Sequence, residues 1–267
     1  MVGVVTKPSP PSTREAGDGT VTEREHERTR IIRAAAEGPT YVVRCHTGDD
    51  GHLRLLQHPR RRRCGGEGAR RARRGPQPVS KLWRARSLEY TFVSNQIDAY
   101  QPFYEMNRDA LQHALDAHDA DVSEKERTEI LAIYHELDVF DDVRDGIERL
   151  RDGGYDCYVV SNGNPEMLDS IVEHADIDDH IEDTVSADEV ETFKPDARLY
   201  RHAAARTGTP IDEIAHVTAG WFDVMGAQHA GMQGVWVDRK RSPWEPFDGE
   251  PALTIDSFYD LADELGV

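Results

Sequence analysis

Cysteine is scarce in this 267-residue chain. The three cysteines, Cys45, Cys64 and Cys157, are far apart and odd in number. That excludes a disulfide framework and any CxxC zinc pair. Long apolar runs are also missing, and none approaches the roughly 18 residues of a membrane span. The opening MVGVVTKPSPPSTREAGDG has no apolar block flanked like a signal peptide. The expectation is a cytoplasmic protein with no membrane partner. Aromatic residues make up 7%, against 38% hydrophobic and 31% charged, the balance of a soluble, mostly globular chain. The length suffices for one large or two small domains.

Lysine is scarce beyond residue 77, where only Lys81, Lys125, Lys194 and Lys240 occur. Charge is divided sharply at the same place. Residues 1–77 hold 16 basic and 9 acidic side chains, a net of +7; residues 78–267 hold 16 and 41, a net of −25. An acidic, lysine-poor surface suits a protein kept soluble at high salt, where self-repulsion is screened. An ordinary acidic protein is the plainer alternative. Either way, such a body is a poor partner for nucleic acid.

The first 77 residues lack sustained periodicity. They carry Pro-Ser-Pro-Pro, a charged patch at 23–33, and the runs Arg60-Arg61-Arg62-Arg63 and Arg70-Arg71-Ala72-Arg73-Arg74. One reading is a basic arm for nucleic acid or an acidic partner. Against it, no aromatic residue interleaves with the arginines. His46, His52 and His58 stand six apart, which matches no common metal motif, so no zinc site is expected. The plainer reading is disorder.

Residues 78–143 read as helical. Leu82, Trp83, Leu88, Tyr90, Phe92 and Val93 fall near 3- and 4-residue spacings, as do Leu111, Ala114 and Leu115. Ser123 followed by Glu126 has a capping-box signature. A further helix begins near Asp141 and stops at Gly153-Gly154. The chain then alternates. Strands are expected at Tyr155–Val160, Ile181–Val185, Ile214–Thr218 and Gly234–Val237, with helices between them and a last helix at Ser257–Leu265. Alternation of this kind means a parallel α/β sheet with helices on both faces. Ligands bind such sheets at the carboxyl ends of the strands. Ser161-Asn162, Lys194-Pro195 and Thr218…Asp223 are the conspicuous polar sites placed there.

On these segments the chain resembles a known family. VVSNGNPEMLDSIV (159–172), DEVETFKPDARLYRHAA (188–204) and HVTAGWFDVMGAQHAGM (216–232) are similar to the second, third and fourth motifs of the haloacid dehalogenase superfamily. KLWRARSLEYTFV (81–93) resembles the helical cap of its type II 2-haloacid dehalogenase branch. The resemblance implies a Rossmann-like core at 144–267 and a cap domain at 78–143. It implies a hydrolase that breaks carbon–halogen bonds through an aspartyl ester, with no cofactor and no metal. The partner is a small anionic substrate of the 2-haloacid type, and a homodimer is compatible with this reading.

Each site residue also has a plainer reading. Ser161 and Asn162 leave a strand and enter a helix, where hydroxyl, amide and N–H groups hold an anion; the same residues cap helices anyway. Lys194 would neutralise carboxylates and a substrate anion, or else be a solvated lysine. Asp223 would orient Lys194 or bind a metal, or else be an acid at a helix start. Arg84 beside Trp83 suits a substrate carboxylate; from its spacing alone it is a surface arginine. Leu88, Phe103 and Phe222 read as core residues. By the resemblance they line the apolar pocket for halogen and carbon chain.

The fourth motif separates branches. Magnesium-dependent phosphatases of the superfamily carry two acids here, five residues apart, whereas this chain has Thr218 and Asp223. A hard dication needs several oxygen ligands, mostly carboxylates, so a phosphatase is the weaker alternative. A non-catalytic binding protein with a basic arm is the other. One departure concerns the dehalogenases themselves: Gly220 stands where they usually carry asparagine.

The larger departure is the first motif, a strand ending in a nucleophilic aspartate, which is missing ahead of Lys81. Asp49-Asp50 follows no hydrophobic strand. A shifted reading frame accounts for this. With GC-rich codons, GHLRLLQHPRRRR (51–63) re-reads as VTFDSYSTLVDVD, and CGGEGARRARRGP (64–76) as AVEKALAERVEDP. The first is a strand, an aspartate and a Ser/Thr loop; the second is an amphipathic helix. The re-read aspartate straddles the codons of Arg54 and Leu55. The chain as written is therefore expected to have no nucleophile and to be inactive. Its sheet is expected to keep a gap or unpaired edge where the first strand belonged.

Overall fold

Apolar spacing and caps decide where helices form after residue 75. The computed structural model describes residues 2–6, 41–42, 76–135 and 139–267. Helices α1 (Pro76–Ile97) and α2 (Phe103–Ala117) pack against each other, and α3 (Glu124–Leu131) follows. The Ser123 capping box forms as expected: Glu126 N donates to Ser123 Oγ at 3.3 Å, and Ser123 N donates to Glu126 Oε2 at 2.9 Å. Val79, Trp83, Ala110, Leu111, Ala114, Leu115 and Leu131 make a small core between these helices. Trp83 is buried because its indole N–H finds a partner, donating to the Asn107 carbonyl at 2.9 Å. Helix α1 starts at Pro76, so it crosses the 77/78 boundary drawn from charge.

Helix α4 (Asp141–Asp152) carries acids in its first turn and arginines in its last, matching the helix dipole. It ends at Gly153, and Gly154 turns the chain at φ +82°. Strands β3 (Asp156–Ser161), β4 (Asp183–Ser186), β5 (Ala215–Thr218), β6 (Gln233–Val237) and β7 (Leu253–Ile255) alternate with α5 (Pro165–His174), α6 (Ala197–Thr207), α7 (Trp221–Ala230) and α8 (Phe258–Leu265). The pairings β3–β4, β5–β6 and β6–β7 are all parallel. Helix α4 packs on α8, and α6 packs on α7. A large core runs through this layer, with Ile147, Val159, Leu168, Phe193, Tyr200, Val217 and Phe258 fully buried.

The expected elements are present within a few residues. Strand β4 starts two residues later than Ile181, because Ile181 follows a short 3-10 turn at Asp178–His180. Helix α7 starts at Trp221, inside the segment that resembles the fourth motif. Strand β7 was not foreseen, since three residues carry no readable period.

The expected gap is overturned. Strand β1 (Val2–Thr6) lies between β3 and β5, antiparallel to both. Strand β2 (Tyr41–Val42) pairs parallel with β3. Backbone groups of β3 and β5 need partners, and VGVVT is an apolar segment able to supply them. The rest of the disorder and frame-shift readings falls outside the described residues, as do Cys45, Cys64 and both arginine runs. Cys157 is free and buried within β3, and burial pushes its thiol well up, away from reactivity. No helix among the described residues is long and apolar enough to cross a membrane.

Candidate active site

Three loops converge at the carboxyl ends of β3, β4 and β5. Ser161 is the last residue of β3 and is buried; its Oγ accepts from Gly163 N at 3.1 Å. Ser186, closing β4, donates through Oγ to the Gly163 carbonyl at 2.7 Å. The turn after β3 is thereby pinned from both sides. Asn162 Oδ1 accepts from Lys194 N at 2.8 Å, tying that turn to the lysine loop.

Lys194 is 4% exposed. Its Nζ donates to the Val160 carbonyl at 2.9 Å and meets Asp223 Oδ2 at 3.3 Å. A buried ammonium persists only with such compensation. Asp223 sits in the first turn of α7 and is likewise buried. Its other oxygen, Oδ1, accepts from Tyr200 OH at 2.7 Å and faces His216 Nε2 at 2.8 Å. An ionised carboxylate only accepts, so His216 Nε2 carries the proton. Burial alone would raise the Asp223 pKa. The charges of His216 and Lys194 outweigh that, helped by hydrogen bonds from His216 and Tyr200, and hold the carboxyl well below its usual range. Burial, then Asp223 itself, pushes Tyr200 well up, so it remains a donor. Thr218 is fully buried at the end of β5, and its Oγ1 accepts from Gly220 N at 3.2 Å.

Lys194 stands on the loop that follows β4 and leads to α6, and α1 positions that loop. Asn95 accepts through Oδ1 from Phe193 N at 2.9 Å and from Thr192 Oγ1 at 3.0 Å. Its Nδ2 donates to the Phe193 carbonyl at 2.6 Å. One amide on the helical layer therefore holds the residues just before the lysine.

The deciding comparison is with protein families: a haloacid dehalogenase-like hydrolase model matches residues 18–231. The chain belongs to the haloacid dehalogenase-like hydrolases. It is 30% identical over 169 residues to (S)-2-haloacid dehalogenase 4A of Burkholderia cepacia, covering 63% of this chain and 73% of that one. It is 29% identical over 179 residues to an (S)-2-haloacid dehalogenase of Pseudomonas sp. strain YL, covering 67% and 77%. Among solved structures, an L-2-haloacid dehalogenase superposes with TM-score 0.70 at 27% identity, over 74% of this chain and 91% of that one. A dehalogenase with an intermediate complex superposes with TM-score 0.66 at 29% identity, over 68% and 81%.

In this hydrolase, Ser161, Asn162, Lys194, Thr218 and Asp223 are gathered at one end of the sheet. The residues named for the substrate pocket, Arg84, Leu88 and Phe103 on the helical layer and Phe222 on α7, are more dispersed. Arg84 is partly buried beside Tyr134, whose hydroxyl burial pushes up to about 12 while Arg84 pulls the other way. No carboxylate among the described residues pairs with Arg84. Leu88 is partly buried on the same helix. The Phe103 ring lies 6.1 Å from Phe193, next to the lysine. Phe222 instead meets Phe92 edge-on at 5.5 Å.

Tyr200, His216 and Asn95 escaped the sequence reading. His216 left a faint signal, being a polar residue inside the apolar strand Ala215–Thr218. Tyr200 looked like any apolar-face aromatic, and Asn95 gave no signal.

Two variants test this construction. Tyr200→Phe removes one donor from a buried carboxylate that keeps His216 and Lys194. Denaturant melts should show a loss of about 1.5 kcal/mol. Gly226→Ala should cost about 1–3 kcal/mol by overpacking. A Cβ there would lie 2.6 Å from Pro195 Cβ and 2.7 Å from Tyr200 OH, which cannot both withdraw. An unchanged melting midpoint in either variant contradicts the packing described.

Proposed function

We propose that the chain derives from a type II 2-haloacid dehalogenase whose first motif is interrupted, and that it is inactive as written. The observation carrying this reading is the buried Lys194–Asp223 pair beside Ser161 and Asn162, with Thr218 at the first acid position of the fourth motif. Both oxygens of Asp223 are engaged, by Lys194, Tyr200 and His216. That donor set suits orientation of a lysine rather than a hard dication. The (S)-2-haloacid dehalogenase relatives support the same branch.

In this mechanism an aspartate carboxylate oxygen bonds to C2 of the haloacid and halide leaves. Water then cleaves the ester, releasing the 2-hydroxy acid. Arg84 pairs with the substrate carboxylate, and Leu88, Phe103 and Phe222 face its apolar part. Ser161 and Asn162 hold the anionic site. Lys194 balances the nucleophile's charge, and Asp223 keeps Lys194 in place. Residues 78–143 serve as the cap and 144–267 as the core. The segment between β3 and β5, VGVVT, carries no carboxylate, and its reversed direction offers none at the carboxyl end of the sheet. The test is halide release from 2-chloropropionate, with a chelator present, by a chain whose residues 51–76 are restored to the other frame.

A further inference from the structure

An aromatic groove opens beside the start of α7, with Pro195 and Gly226 also in its lining. Phe92 of α1 meets Phe222 at 5.5 Å and 77°. Phe222 meets Trp221 at 6.1 Å and 89°, and Trp221 meets Phe247 at 6.0 Å and 70°. Four rings thus stand in succession, each nearly perpendicular to the next. The groove measures about 560 Å³, within the roughly 300–1,000 Å³ range of small-molecule sites.

These rings are not spent on the core. Phe92 and Trp221 are each 37% exposed and Phe247 is 63% exposed. In a chain only 7% aromatic, an exposed cluster of this kind calls for an occupant. The loop bearing Phe247 is fastened: Trp244 Nε1 donates to the Gly249 carbonyl at 2.8 Å, and Gln228 Nε2 donates to the Glu250 carbonyl at 3.0 Å.

Charge selects the occupant. Asp248 and Glu250 line the groove, and among the described residues no lysine or arginine does. His229 lines it too. A 2-haloacid is an anion and has the wrong sign for this rim, so the groove is not a second substrate site. The electron-rich faces of aromatic rings attract cations, most strongly for indole. The geometry points to a binding site for a small organic ammonium ion carrying an apolar group, held by Trp221, Phe247 and Phe92 and steered by Asp248 and Glu250.

Calorimetric titration of the full chain tests this independently of any catalysis, with benzyltrimethylammonium as cation, benzyl alcohol as neutral control and benzoate as anion. The cation should bind at least about tenfold tighter than the alcohol, and benzoate should bind weakest. Added salt should weaken the cation alone. Phe247→Ala, at an exposed position, should fold normally by circular dichroism and lower cation affinity at least about fivefold. Asp248→Asn with Glu250→Gln should shrink the preference for cation over alcohol. Equal binding of cation and alcohol would overturn the assignment. So would unchanged affinity in Phe247→Ala, or coverage of the same rings by a second copy as protein concentration rises.

Discussion

Replacing residues 51–76 with VTFDSYSTLVDVDAVEKALAERVEDP is expected to raise halide release from 2-chloropropionate by about ten-thousand-fold or more. Loss of a covalent nucleophile has effects of that order, because the remaining groups only bind and orient. Here those groups are already assembled. Lys194 is buried, neutralised and held by Asp223 and the Val160 carbonyl. Ser161 and Asn162 are pinned by Gly163 and Lys194. None is a competent nucleophile, since Lys194 is an ammonium and no base faces Ser161 Oγ among the described bonds. The restored strand must also displace β1 from between β3 and β5. Amide exchange should therefore show Val2–Thr6 losing protection as activity appears. Equal turnover by both chains would refute the missing-nucleophile argument. A folded but inactive restored chain would point to Gly220 and a different substrate.

Asp223→Ala is expected to destabilise the fold by about 3–5 kcal/mol, because it strands a buried ammonium. Lys194 has 4% of its side chain exposed and cannot recover hydration. His216 and Tyr200 lose their common acceptor at the same time. The double variant Lys194→Met with Asp223→Ala should regain part of the loss, since it removes the stranded charge. Equal stability of the single and double variants would show that the pair is not coupled.

The pH dependence of this effect has a definite sign. Folding lowers the Asp223 pKa below its ordinary 3.8. Its contribution is complete above that ordinary value and is lost as pH falls through the lower folded-state value. Denaturant melts should show a constant difference between the parent and Asp223→Ala from neutral pH down to about pH 4. The difference should narrow only in stronger acid. Narrowing already near pH 6 would contradict the assignment of this effect to Asp223.

Much of the core was legible in the sequence because short-range physics specifies it. Ser123-x-x-Glu126 caps a helix by reach alone. Gly153-Gly154 ends one because Gly154 takes a positive φ. Strands β3, β5 and β6 are apolar runs bounded by turn residues, and their alternation with helices dictates parallel pairing. Lys194 and Asp223 were joined in advance because both stand in segments that resemble motifs of one family.

Contacts between distant residues left no such trace. Asn95 reaches Phe193 across 98 positions of sequence, and nothing in its own helix distinguishes it from a solvated asparagine. Tyr200 and His216 meet on Asp223 only because α6, β5 and α7 pack together. The aromatic groove needs Phe92 from the helical layer and Phe247 from a loop after β6. The reversal of β1 is the clearest case. VGVVT reads as a short apolar run in either direction, and its direction was set by which unpaired backbone groups of β3 and β5 it meets. Local propensity and alternation, written in the sequence, determined the elements and most of their order. Tertiary structure alone decided which side chains share a buried charge and which strand fills the centre of the sheet, since burial and hydrogen-bond satisfaction are properties of the assembled layers.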